Sequence, residues 1–176
     1  MEAFKVVSMV LLTMVLAGCT FFKNTSTENE ELPVVPKATS AIMDGSNLNA
    51  YNRVFIPPLQ YDGGVLDQYG VTADVERKLK ELGFQSISEE DAEGQSPEEA
   101  ARTLYCLIEH QHAEDGKGGL YVIMQINMYD HYQQIIYSGR GHYQGLSTLG
   151  DLRGATDYAM EGFIIRYEVY DPTVNS

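Results

Sequence analysis

The feature that most constrains the fold is the alternation from Leu120 to Tyr129. Leu120, Val122, Met124, Ile126 and Met128 are apolar, and Tyr121, Ile123, Gln125, Asn127 and Tyr129 stand between them. Successive side chains of a strand point to opposite faces of the sheet, so period two over this length predicts a strand with one face in a core. A second strand is expected over Gln133 to Tyr143 after a turn at His131-Tyr132. Pairing Asp130 with Gln133 sets Met128 opposite Ile135, Ile126 opposite Tyr137, Met124 opposite Gly139 and Val122 opposite Gly141. Both glycines then fall on the core face, where a missing side chain lets a helix backbone come close. From Asp151 onward, Leu152, Ala155, Ala159, Phe163 and Tyr167 recur at three and four residue steps, as that helix requires. Over residues 164–170 the alternation of Ile165, Tyr167 and Val169 also fits a strand.

On the other face the same register pairs Tyr121 with His142, Ile123 with Arg140, Asn127 with Ile136 and Tyr129 with Gln134. Aromatic and Arg side chains mixed with aliphatic ones are what protein interfaces favour. Tyr121, Ile123, Tyr129, Arg140 and His142 are therefore the candidate partner surface. The competing reading is an ordinary open sheet face, or one covered by the short helix described next.

Upstream, Arg53 to Leu59 reads as a strand apolar on both faces, ended by Pro57 and Pro58. A turn at Gly63-Gly64 leads to a helix from Thr72 to Leu82, with Gly83 placed to end it, and then a strand over Phe84 to Ser88. Ser96-Pro97-Glu98-Glu99 carries the capping-box pattern, with Pro at the first helical position, and predicts a short helix from Pro97 to Leu104. A strand over Tyr105 to Ala113 and a turn over residues 114–119 complete the series. The fold class is α/β (α+β): one mixed sheet of four to five strands, helices packed on one face, order β-α-β-α-β-β-β-α.

The N-terminus carries a different signal. Lys5 precedes an apolar run from Val6 to Leu16, shorter than the roughly 20 residues a membrane-spanning helix needs. It ends in Leu16-Ala17-Gly18-Cys19, which resembles the lipobox of bacterial lipoproteins. That resemblance implies cleavage between Gly18 and Cys19, a diacylglyceryl group on the Cys19 sulfur and usually a further acyl chain on the freed amine. Two chains anchor stably where one is marginal. Thr20 after the Cys lacks the Asp signal that retains such proteins in the inner membrane of enteric bacteria, which favours the outer membrane, facing the periplasm. Residues 20–50 are rich in Thr, Ser, Asn, Glu and Pro, and read as a flexible tether with a reach of about 30 Å. The expected organisation is residues 1–18 signal peptide, 19–50 lipidated Cys19 and tether, and 51–176 a single globular domain.

The domain pattern resembles small envelope lipoproteins of unknown function. More distantly it is similar to the α/β domain of the TolB amino terminus, of the lipoprotein activators of penicillin-binding proteins and of the curli export lipoprotein. The residues that carry this are Val122 to Asp130, Ile135 to Gly141, and Glu76 to Ile87 with Leu79, Leu82, Gly83 and Phe84. The resemblance implies a lipid-anchored module that binds other envelope proteins, in cell-wall or secretion assembly, and supplies no catalytic residue.

With 12 basic and 25 acidic residues the chain has a net charge of −13, which repels nucleic acid and anionic head groups. Membrane contact is therefore expected from the lipid, and the partner is a neutral or basic protein; oligomeric state is left open. Apart from Cys19 the only thiol is Cys106, inside the apolar run Leu104 to Ile108, so no intrachain disulfide is expected and Cys106 reads as core filling. Glu109-His110-Gln111-His112 with Glu114 and Asp115 puts two imidazoles on one strand face, but a metal site needs further ligands from His131, His142 or a carboxylate. No nucleophile elbow, phosphate loop or dinucleotide fingerprint is present. No catalytic residue, cofactor or metal ligand is assigned. The alternative is a small envelope hydrolase or metal-binding protein, which would gather His110, His112, His131, His142 and Asp130 into one hollow.

Overall fold

The computed structural model describes residues 37–58, 65–114, 118–167 and 173. Residues 1–36, with the lipobox and Cys19, the Gly63-Gly64 turn and residues 168–170 lie outside the described part. In chain order the elements are β1 (Ala38–Ile42), a 3-10 turn (Leu48–Ala50), β2 (Arg53–Phe55), α1 (Val65–Gln68), α2 (Val71–Glu81), β3 (Gln85–Ser86), α3 (Glu89–Glu93), α4 (Pro97–Ala100), β4 (Thr103–Glu114), β5 (Leu120–Tyr129), β6 (Ile135–Tyr143) and α5 (Thr148–Arg166). They form the expected α/β fold around one mixed sheet, ordered β1-β6-β5-β4-β2-β3, antiparallel except where β2 runs parallel to β3 and β4.

The alternation in β5 is realised. Val122, Met124, Ile126 and Met128 are buried in the core, while Leu120, at the open end, is exposed. The β5–β6 register differs from the expected one by two residues: Met128 faces Tyr137, Ile126 faces Gly139 and Met124 faces Gly141. The turn accounts for this. Asp130 and Gln134, not Gln133, close it, since the Asp130 N–H donates to the Gln134 carbonyl at 3.0 Å. The Asp130 carboxylate accepts the N–H groups of Tyr132 and Gln134, both at 2.9 Å, and Gln133 takes a left-handed conformation at φ 64°. An irregularity between Met128 and Tyr129 adds the second residue of shift. From Val122 to Met128 a shift of two preserves the face of each side chain. Past the irregularity the shift is one, so Ile135, expected opposite Met128 on the core face, is exposed and Ile136 is buried in its place.

Gly139 and Gly141 lie under α5, which packs on β5, β6 and β1. A Cβ built on Gly139 would collide with the Ala159 carbonyl, and one on Gly141 with the Ala155 carbonyl. The Tyr137 hydroxyl donates to the Ala159 carbonyl at 2.6 Å, bonding sheet to helix backbone. Leu152, Ala155, Ala159, Met160 and Phe163 are fully buried along this contact. α5 continues to Arg166, so residues 164–166 are helical. α2 lies on the same face with Val71, Val75 and Leu79 in the core, and ends before Gly83 at φ 98°.

Three expectations are corrected. The sheet has six strands, not four or five, because the segment expected to be tether up to residue 50 supplies β1, and Leu48 and Ala50 are buried. β1 (ATSAI) offers only one large apolar side chain and owes its place to pairing with β6. α4 stops at Ala100 and not at Leu104, since Thr103 and Leu104 enter β4 to pair with Arg53 and Val54 of β2. β3 is two residues long, within the expected Phe84 to Ser88. α1 and α3, each a turn or so of helix, had no counterpart in the sequence reading.

Candidate functional site

The face of the sheet opposite α2 and α5 is divided in two. Its β2–β4 end is covered by the segment around α4. The capping box forms as expected: the Ser96 hydroxyl accepts the Glu99 N–H at 3.3 Å, and the Glu99 carboxylate accepts the Ser96 N–H at 3.0 Å. The same carboxylate meets Arg53 at 2.6 Å. The Ser96 N–H, then the Arg53 guanidinium and the Ser96 hydroxyl, hold the Glu99 carboxyl down at about 2. The Gln95 amide donates to the Thr103 hydroxyl at 2.9 Å, and the Thr103 hydroxyl donates to the Glu99 carbonyl at 2.8 Å. The short helix therefore covers this face at Arg53, Thr103 and Tyr105, but not over the β5–β6 hairpin.

Over the hairpin the face carries Tyr121, Ile123, Gln125, Asn127 and Tyr129 from β5, Ser138, Arg140 and His142 from β6, and Thr39 and Ala41 from β1. The register shift re-sorts the expected pairs. Arg140 stands opposite Gln125 and Thr39, and His142 stands opposite Ile123. Tyr121 and His142 still meet, ring edge to ring face at 5.6 Å, as diagonal neighbours. The Gln125 amide donates to Asn127 at 3.0 Å and to Ser138 at 2.9 Å, a polar ladder down the middle of the face. A shallow hollow lined by Thr39, Ala41, Gln125, Ser138 and Arg140 lies beside it.

Exposure sorts the candidate partner residues. Arg140 is exposed and Tyr121, Tyr129 and His142 are half-buried, but Ile123 is only 6 % exposed. Burial pushes the Tyr129 phenol up, and the nearby Glu109 carboxylate adds to this. The signals that sequence reasoning passed over are Gln125 and Ser138, visible as polar residues at one parity, and the β1 residues, which gave no signal. Asn127, expected on this face opposite Ile136, stands on it opposite Ser138.

The titratable residues of the alternative reading are placed apart. His110 and His112 face the α5 side of the sheet, their rings 5.6 Å from each other. His142 is on the opposite face. Asp130 and His131 are at the hairpin turn, seven β5 residues from the partner of His142, or about 23 Å along a strand. The Asp130 carboxylate is committed to the turn. Among the described residues no three His, Cys, Asp or Glu side chains gather as a metal site. Cys106 is fully buried, and burial pushes its thiol up to about 12. No helix among the described residues is long and apolar enough to cross a membrane.

The described residues thus define an α/β domain with an open six-stranded sheet, α2 and α5 across one face and a second face that no described helix covers over the hairpin. No protein-family model matches the chain, and no curated protein matches it. Among solved structures it is similar to the PelC dodecamer from Paraburkholderia phytofirmans in two crystal forms. A point variant is 16 % identical over 74 % of this chain and 99 % of that one, with a TM-score of 0.46. The second form is 16 % identical over 70 % and 95 %, also with a TM-score of 0.46.

Proposed function

We propose that this protein is a lipid-anchored accessory module of the bacterial envelope, without catalytic activity of its own, that binds another envelope protein through the bare part of its sheet. The observation that carries the reading is Leu16-Ala17-Gly18-Cys19 at the end of an apolar run too short to span a bilayer. Its lipid would hold the domain at the outer membrane on the periplasmic side, with the acidic surface turned to a neutral or basic partner. The scatter of the His residues and of Asp130 over two faces and a turn supports a binding module over a hydrolase. Tyr121, Tyr129, Arg140 and His142 supply the aromatic and guanidinium groups that interface anchors use.

Two measurements test this. Cys19→Ser should abolish incorporation of labelled fatty acid and release the protein from membranes; undiminished labelling would refute the anchor. Arg140→Ala with Tyr121→Ser should weaken capture of the crosslinked partner by on the order of 1 to 3 kcal/mol, at little cost to the melting temperature. Capture at full strength would move the interface elsewhere.

A further inference from the structure

Among the described residues the outer edge of β1 has no partner strand, and its geometry is self-complementary. The Lys37 carbonyl accepts the His142 N–H at 2.9 Å, and the Met43 N–H donates to the Ile136 carbonyl at 3.1 Å. In an antiparallel ladder the residues that bond one neighbour alternate with those that face away. Lys37, Thr39, Ala41 and Met43 therefore turn their backbone groups into the sheet, and Ala38, Ser40 and Ile42 turn theirs out. Among the described residues no strand lies beyond β1. The opposite edge is kept blunt by the shortness of β3. β1 has none of the usual protection: no charge, no proline and no bulge.

We propose that β1 pairs antiparallel with β1 of a second copy of this chain, about a two-fold axis through Ser40. In that register Ser40 opposes its counterpart and Ala38 opposes Ile42, so every outward N–H finds an outward carbonyl. The flanking charges agree with it. Lys37 precedes the strand and Asp44 follows it, both exposed, so antiparallel pairing sets the Lys37 end of one copy beside the Asp44 end of the other. Parallel pairing would set like beside like. On the helix face, Ile165 is 74 % exposed and shares a shallow hollow with Ala38, Ser40, Glu161 and Arg166, so the same edge carries one apolar side chain and one charge of each sign. On the other face only Thr39 and Ala41 flank the axis, uncharged in a chain of net charge −13 that repels its own copies elsewhere. An edge of five residues with one Ile is smaller than the roughly 1,000 Å² of a stable interface, so the dimer is reversible. The pairing does not depend on lipid anchoring or on any envelope partner.

The experiment uses the full chain purified in detergent. Sedimentation velocity should show conversion of monomer to dimer as concentration rises through the micromolar range. Thr39→Asp with Ala41→Asp, which puts like charges opposite each other across the axis, should remain monomeric with an unchanged circular dichroism spectrum. Thr39 and Ala41 form the close, non-hydrogen-bonded pair, with Cα atoms about 4.5 Å apart, within the span of a disulfide. Thr39→Cys with Ala41→Cys should therefore give a linked dimer under mild oxidation, severalfold above the unsubstituted chain and above Thr39→Cys alone. Self-association undiminished in the double Asp variant, or no excess of linked dimer from the double Cys variant, would overturn the proposal.

Discussion

The close approach of α5 to the sheet is the contact on which the core most depends, and Gly141→Ala tests it. The added Cβ would collide with the Ala155 carbonyl, the Ala159 N–H and the Tyr158 Cβ. Two of these are helix backbone, so no side-chain rotation relieves the overlap, and α5 must lift by on the order of 1 Å to reach ordinary van der Waals distance. Overpacking a tight core costs about 1 to 3 kcal/mol, and here the upper figure applies because Leu152, Ala155, Ala159 and Phe163, all fully buried, lose contact together. For a domain of this size about 3 kcal/mol lowers the melting temperature by roughly 10 °C. Gly94→Ala is the control. That residue has φ −92°, and its built Cβ sits 3.4 Å from the Glu90 carbonyl, an ordinary contact. It should change stability by less than about 1 kcal/mol, with a small gain from the stiffer unfolded chain. Thermal melts followed by circular dichroism compare the two. If Gly141→Ala melts within about 2 °C of the parent, α5 does not lie on the sheet backbone and the account of the core is wrong.

Three further outcomes follow from individual groups. Glu99 has its carboxyl lowered from 4.5 to about 2 in the folded state, so its contribution is present above pH 4.5 and lost as pH falls towards 2; Glu99→Gln should lower stability near neutrality and flatten the stability profile between pH 4.5 and 2, the gap to the parent closing at the acid end. Cys106 should resist thiol reagents in the native protein and react fully in denaturant, as peptide mass mapping would show, because burial keeps it protonated and out of reach. Tyr137→Phe removes the donor to the Ala159 carbonyl and should cost about 1 to 2 kcal/mol in denaturant titrations, with the fold retained; a neutral result would mean that carbonyl finds another donor.

Much of this architecture is local and so can be read in the chain. The alternation in β5 determines which side chains enter the core whatever the partner strand, because the pleat has period two. The Ser96-to-Glu99 box forms from four consecutive residues and needs nothing distant. The glycines at 139 and 141 mark a close backbone approach because a sheet gives up packing area at such positions only when something else fills it. Tertiary structure decided the rest. The hairpin register rests on how the Asp130 carboxylate organises its turn and on an irregularity at Met128-Tyr129, which neither hydrophobic pattern nor residue count reveals. β1 exists because β6 offers it an edge, and its residues are small because α5 crosses above them, so its sequence carries no apolar signal and resembles a tether. The bare face that serves as candidate partner surface is bare only over the hairpin, since the short helix folds back on Arg53, Thr103 and Tyr105 through contacts between side chains brought together by the parallel pairing of β2 with β4.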